Sequence, residues 1–312
     1  MFVIPLYKYN QHITNMNRHN FKSWFFATRP WSFPASSMPI VVTLAYLFWC
    51  GENVNWGIGI WTLINIIVFH AAGNTWSDYY DFKKGVDRED TIGGMSITSG
   101  EFKPCEIKSL AIVLLTVAAI SGIILVVCTG LPTLYFGIAG ALLTILYPWL
   151  KYHALGDVDI FLTYSVLPIL GTTYVATGEI GTSALWLALP IGLITVGILH
   201  VNNTRDIVPD KRAGIKTFAM LAGEKASAYL YCLEVIVPFI WVAGGIAMGK
   251  FPLLSLLIIP ALKPAMDNVR KVMAFLKKDA KELYGVDENT AKLQLAFSML
   301  LTLSLFIDKL FL

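Results

Sequence analysis

Between Lys108 and Lys151 the chain runs for 42 residues, 109 to 150, without a single charged side chain. No soluble fold hides a stretch of that length in one piece. The hydrocarbon core of a bilayer, ~30 Å thick, needs about 20 apolar residues per helical crossing. The run therefore reads as two crossings, broken where Gly130-Leu131-Pro132 punctuates the helix. Charge-free runs of crossing length recur at 30–51, 53–77, 160–178 and 180–204, the last two separated by Glu179. A seventh, 226–249, carries Glu234 about two turns in. An eighth starts at Phe251 and is interrupted by Lys263 and Asp267, so its second half must face protein or water. The ninth, 293–307, is short. Nothing alternates with period 2 over barrel-length segments. The expectation is an all-α integral membrane bundle of about nine transmembrane helices, a single domain over 1–312, with 1–28 as a polar N-terminal segment.

Composition agrees: 56% of residues are hydrophobic and 14% charged, against about a quarter charged in soluble domains. The lipid bilayer is thus an expected partner, and nucleic acid is not. Residues 1–28 are polar and mixed, with no apolar core or cleavage pattern of a signal peptide, so the first run reads as a retained anchor. Cys50, Cys105, Cys128 and Cys232 form no CxxC pair and have no Cys/His ligand spacing, which suggests neither a disulfide framework nor a zinc site. Lys and Arg set the orientation. With the N-terminus cytoplasmic, only Lys250 and Lys309 of the 24 Lys and Arg fall outside, with Lys263 inside a span. The expected topology in the cytoplasmic membrane is N-in, C-out.

Chemistry can then sit only where polar residues break the apolar pattern. The second run ends in Asn74-Thr-Trp-Ser-Asp78-Tyr-Tyr-Asp81-Phe-Lys-Lys-Gly-Val-Asp87, and the sixth in Asn202-Asn-Thr-Arg-Asp206-Ile-Val-Pro-Asp210-Lys-Arg. Each reads Asn-x-x-x-Asp followed by a further Asp three or four residues on. Residues so spaced share a helix face. Both runs are even-numbered, so both motifs finish at the same membrane face. Converging carboxylates repel one another unless cations stand between them. Mg2+ suits such a site, because it takes hard oxygen ligands and is usually held by one or two carboxylates plus substrate phosphates. Arg205, Lys211, Arg212 and Lys216 stand close by to meet phosphate oxygens. The alternative for each run alone is a solvated charged face; two matched runs on one side favour a shared metal–diphosphate site.

At these residues the chain resembles the UbiA superfamily of membrane prenyltransferases, which carry an Asn-x-x-x-Asp-x-x-x-Asp motif after the second helix and an Asp-x-x-x-Asp motif after the sixth. Within it, Arg29-Pro-Trp-Ser-Phe-Pro-Ala-Ser, the Asp78–Asp87 stretch and Asn202 to Thr217 look most like 1,4-dihydroxy-2-naphthoate polyprenyltransferases of menaquinone synthesis. The resemblance implies a nine-helix bundle around a central cavity open to lipid. It implies one Mg2+ on Asn74, Asp78 and Asp81 and another on Asn202, Asp206 and Asp210, with the four Asp as the catalytic carboxylates. It places Asp87, Tyr147 and Lys151 at the substrate; Tyr147 reads equally well as an interfacial aromatic. Two departures stand out. Phe82 occupies the place where many members carry a third Asp, as in the naphthoate branch. No Arg or Lys lies between Arg88 and Lys103, where relatives usually have an Arg before the Ser99-Gly100 pair, so that contact is either missing or supplied by Lys83 or Lys84.

The implied reaction moves a polyprenyl group from polyprenyl diphosphate to an aromatic acceptor. Asp157 or Asp159 is a candidate to assist deprotonation of the acceptor, with a solvated loop acid as the alternative. Arg29 is a candidate partner for an acceptor carboxylate, or simply a topology-setting cation. Rival readings are the same chemistry on 4-hydroxybenzoate, a chlorin or a glycerol-phosphate lipid, and a non-catalytic prenyl-lipid binder. An ion transporter would place its acids near the bilayer midplane, whereas these motifs sit at helix ends.

Overall fold

The computed structural model describes residues 19–88 and 95–311. Every long element is a helix. Eight are long and apolar enough to cross a membrane among the described residues: α1 (Pro30–Trp49), α2 (Trp56–Lys84), α3 (Pro104–Thr129), α4 (Leu131–Tyr152), α5 (Gly156–Thr177), α6 (Thr182–Arg205), α7 (Glu224–Ala247) and a last one within Ala280–Phe311. The expected eighth crossing is composite. Leu253–Ala261 is a 3-10 helix containing Pro260, followed by the α-helix α8, Leu262–Phe275. At ~2.0 Å per residue for the first part and ~1.5 Å for the second, the pair still spans roughly 39 Å. Its second half buries Ala265, Asn268, Val272 and Phe275 on one face and turns its charges elsewhere, which is why a hydropathy window passes over it.

Two boundaries differ from the sequence expectation. The last helix, α9, runs Val286–Phe311 rather than 293–307. Asp287 and Glu288 in its first turn lower mean hydropathy but suit the positive end of a helix dipole. Likewise α2 does not stop at Ser77. It continues to Lys84 and is closed by Gly85, whose φ of 75° lets its N–H reach the last carbonyls. The first motif is therefore helical from Asn74 through Asp81, with Asp87 just beyond the Gly85 cap.

Packing separates an inner bundle from an outer layer. The largest buried cluster joins Met38, Val42 and Tyr46 of α1, Ile191 and Ile194 of α6, Tyr231 and Val235 of α7, and Phe297, Leu301 and Leu305 of α9. By contrast α3 and α4 turn Val113, Ile120, Val127, Tyr135 and Leu142 outward, as helices facing lipid must. Between α5 and α6 the approach is close: a methyl added at Gly192 would stand 2.6 Å from the Phe161 ring and 2.9 Å from Ser165 Cβ. Here α5 is loosened into a π-turn, Leu162–Val166, and Ser165 Oγ donates to the Ala188 carbonyl at 2.6 Å.

Candidate active site

The end of the bundle where α2 and α6 finish also receives the end of α4 and the segment before α1. Asp78 and Asp81, one turn apart on α2, are both buried. Asp78 is paired with the Arg29 guanidinium. Asp81 is shared: Lys151 Nζ donates to Oδ2 at 3.1 Å and Tyr152 Oη to Oδ1 at 2.8 Å, with Ser77 Oγ at 3.3 Å from Oδ2. Tyr147, one turn before Lys151 on α4, is half-buried.

Arg29 is delivered by a strained backbone. Its φ of 56° is one of two positive values at non-glycine residues among the described residues; the other, Ala154, follows Lys151 and Tyr152 by two to three residues. Such strain persists only where surroundings over-determine it. For Arg29 those surroundings are specific. Asn74 Nδ2 donates to the Thr28 carbonyl and to Ser32 Oγ, both at 2.9 Å, while Ser32 Oγ donates to the Arg29 carbonyl at 2.8 Å. His70 adds Nδ1 at 2.8 Å from Ser36 Oγ. Asn74 thus anchors the turn that aims Arg29 at Asp78. Burial opposes the Arg29 charge, yet Asp78, Asp87, Asp81 and Tyr147 together hold its pKa above the ordinary value.

The second motif spans a break. Asn202 lies in the last turn of α6, Asp206 at the junction, and Asp210 in the short helix Ile207–Arg212. Arg205 organises it: Nε and Nη2 take both Asp206 oxygens at 2.8 and 2.7 Å, Nη1 reaches Asp287 of α9 at 3.0 Å, and Nη2 also donates to Asn202 Oδ1. Expected from sequence as a phosphate ligand, Arg205 is in this structure occupied with its own motif. Lys211, Arg212 and Lys216 lie on the exposed side of that segment. The Lys216 backbone N–H bonds the Tyr152 carbonyl at 3.0 Å, tying the second motif to the end of α4.

The two motifs feel each other. Burial pushes the Asp210 carboxyl up to about 7; Asp206, Asp81 and Asp87 add to the rise and Lys151 opposes it. Asp87 is pushed up to about 6 by burial and by Asp81 and Asp206, against Arg29 and Lys151. Asp87 Oδ2 and Asp210 Oδ2 are buried and accept no hydrogen bond, a costly state for a carboxylate. Hard oxygen donors from both motifs with lone pairs to spare form a donor set that fits Mg2+. Asp159 is buried with Oδ1 unpartnered, whereas Asp157 turns toward His200. Residues 89–94, where an Arg would precede Ser99-Gly100, lie outside the described residues. Tyr152, Ser32 and Asp287 were not marked by the sequence. Only Tyr152 carried a hint, its adjacency to Lys151.

Comparison with known proteins gives this geometry a family. Residues 37–274 match the model of the UbiA prenyltransferase family. The UbiA prenyltransferase domain-containing protein 1 homolog of Drosophila melanogaster is 30% identical over 290 residues, covering 89% of this chain and 78% of its own length. The proteins named UbiA prenyltransferase domain-containing protein 1 from Danio rerio and Xenopus tropicalis are 33% and 31% identical. This chain spans about two thirds of those two, 66% and 65% of their lengths. Among solved structures, a UbiA homolog from Aeropyrum pernix K1 superposes with a TM-score of 0.63 at 14% identity, over 89% of this chain and 98% of that one. A UbiA homolog from Archaeoglobus fulgidus bound to GPP and Mg2+ gives 0.61 at 13%, over 90% and 99%. The match is to the family and to proteins of the domain-containing-protein-1 group rather than to naphthoate polyprenyltransferases in particular. This chain belongs to the UbiA prenyltransferase family.

Proposed function

We propose that the chain transfers a polyprenyl group from an isoprenoid diphosphate, held with Mg2+, to an aromatic acceptor, with 1,4-dihydroxy-2-naphthoate as that acceptor in menaquinone synthesis. The carrying observation is the convergence at one bundle end of Asp78, Asp81 and Asp87 with Asp206 and Asp210, interleaved with Arg29 and Lys151. The bound GPP and Mg2+ of the Archaeoglobus homolog support the donor class. The three-residue Asp78–Asp81 step supports the naphthoate branch.

Asn74, Asp78 and Asp81 would hold one Mg2+ and Asn202, Asp206 and Asp210 the other, with Asp87 between them. The metal supplies neutralisation of the charge that builds on a departing diphosphate. Arg29 and Lys151 exchange their carboxylate partners for phosphate oxygens as substrate enters, and Tyr147 stands beside Lys151 to do the same. The allylic C–O bond breaks with its electron pair leaving on the diphosphate. The surrounding apolar helices keep water from the resulting cation. The ring carbon that bears the carboxylate forms the new C–C bond, and loss of CO2, whose bonding electron pair returns to the ring, restores aromaticity. Buried Asp159, with Oδ1 unpartnered, is the candidate carboxylate to hold an acceptor hydroxyl proton while the ring attacks. The charge distribution favours a cytoplasmic position for this bundle end, with the N-terminus inside and the C-terminus outside.

A second reading rests on the likeness to digeranylgeranylglyceryl phosphate synthase, TM-score 0.60 at 17% identity: the same transfer onto a glycerol-phosphate lipid. Membranes carrying the protein, given labelled polyprenyl diphosphate and a panel of acceptors, separate the two. Prenylation of the naphthoate alone supports the first reading, prenylation of the glycerol phosphate replaces it, and binding of diphosphate without transfer to any acceptor removes the enzymatic reading.

A further inference from the structure

At the same end of the bundle a second polar cluster is buried away from the diphosphate site. His200 on α6 is wholly inaccessible. Its Nδ1 lies 2.7 Å from Glu234 Oε1 on α7 and 3.4 Å from Asp157 Oδ2 in the first turn of α5. The donor atoms of all three residues lie within 4.8 Å of one another. His200 precedes Asn202 by two residues, so the two side chains leave α6 about 200° apart. The cluster therefore points into the α5–α6–α7 contact rather than toward the aspartate motifs.

Its hydrogen bonding is incomplete. Both Asp157 oxygens, Glu234 Oε2 and His200 Nε2 are buried and unpartnered. Glu234 itself is only 9% exposed. The charges acting on Asp157 are those of His200 and Glu234. One proton on Nδ1 serves Glu234 well and Asp157 poorly, and two carboxylates with a single imidazole remain anionic in an apolar surround, which is unfavourable. A dication with a neutral imidazole brings the cluster to zero formal charge and supplies the absent partner to both acids at once. Ligands ~2.1 Å from a tetrahedral Zn2+ stand ~3.4 Å from each other; His200 and Asp157 already have that separation, and the 2.7 Å contact of His200 with Glu234 would open to it on binding. Mixed imidazole and carboxylate donors select against Mg2+, which takes oxygen, and for Zn2+ or Mn2+.

We propose that Asp157, His200 and Glu234 form a site for a transition-metal dication, Zn2+ or Mn2+, that staples α5, α6 and α7 together at the end where α6 presents Asn202 and Asp206. Three consecutive helices would be joined by one ion, fixing the position of the second motif without touching substrate. The site stands whether or not the diphosphate reading does.

The test uses the full chain in detergent, stripped with chelator and reloaded with Zn2+ in excess Mg2+, then desalted and analysed for metal. About one Zn2+ per chain is expected in the wild type and in Asp78→Ala, with at least a tenfold loss in His200→Gln and Glu234→Gln. No retained Zn2+ in the wild type overturns the proposal. So does Zn2+ that is lost in Asp78→Ala and kept in His200→Gln, because the ion would then sit on the aspartate motifs. If the His200 variant does not fold, Cu2+-loaded wild type decides: nitrogen hyperfine coupling in its electron paramagnetic resonance spectrum is expected, and a purely oxygen-ligated spectrum overturns the site.

Discussion

Replacing Lys151 by Met tests whether Asp81 is a metal ligand or only half of a structural ion pair. Lys151 Nζ and Asp81 Oδ2 are 3.1 Å apart, with side chains 14% and 8% exposed. Removing the lysine leaves the carboxylate with Tyr152 Oη and Ser77 Oγ as donors and without the cation that contacts it. Breaking a buried pair from one side costs about 3–5 kcal/mol, which lowers the apparent unfolding midpoint of a chain this size by roughly 5–8 °C. If Asp81 binds Mg2+, the ion takes the vacated place. At about one hundred times its Kd it returns about 2.7 kcal/mol, most of the loss. The double variant Asp81→Asn/Lys151→Met has neither charge, so it recovers much of the midpoint without Mg2+ and gains little from adding it. Thermal unfolding of wild type, single and double variants in detergent, with and without Mg2+, reads all of these terms. A midpoint rise on Mg2+ that is no larger in Lys151→Met than in the double variant would refute the ligand role of Asp81.

Asp78→Ala and Asp206→Ala are each expected to abolish Mg2+-dependent prenyl transfer while the protein still inserts into membranes; measurable full activity in either removes the metal assignment. The pH dependence has a definite sign. Asp87 and Asp210 are held above the ordinary aspartate value, at about 6 and about 7, so the metal-free fold favours their protonated forms and loses that stability as pH rises through those values. Mg2+ must displace these protons, so its apparent affinity is expected to rise between about pH 5 and about pH 8; a flat profile by calorimetric titration contradicts the reading. Gly192→Ala forces a methyl against the Phe161 ring and is expected to cost about 1–3 kcal/mol through overpacking, read as a lower unfolding midpoint. Asn74→Ala releases the turn at Arg29 and should slow transfer about 10–100-fold, with Asn74→Asp recovering less than half of it because the amide donor is gone; equal activity in Asn74→Ala shows the turn to be dispensable.

Much of this protein follows from local pattern. Absence of charge over 109–150 demands lipid around two helices, and neither α3 nor α4 needs tertiary context to be recognised. The shared face of Asn74, Asp78 and Asp81 follows from helical repeat alone, and the parity of α2 and α6 puts their ends on the same membrane face without knowledge of packing. Where the apolar run fell short of the helix, charge was the cause: the first turn of α9 carries Asp287 and Glu288 beside buried Val286 and Thr290, whereas the half-polar eighth segment is helical as its pattern implies. What only the tertiary structure decided is pairing across the chain. Lys151 and Tyr152 reach Asp81 from a helix 70 residues on, Arg29 reaches Asp78 through a left-handed turn fixed by Asn74, and Asp157, His200 and Glu234 meet from three helices. Each such contact is set by crossing angles and side-chain fit between separate elements, and periodicity along a single helix carries no record of what packs against it.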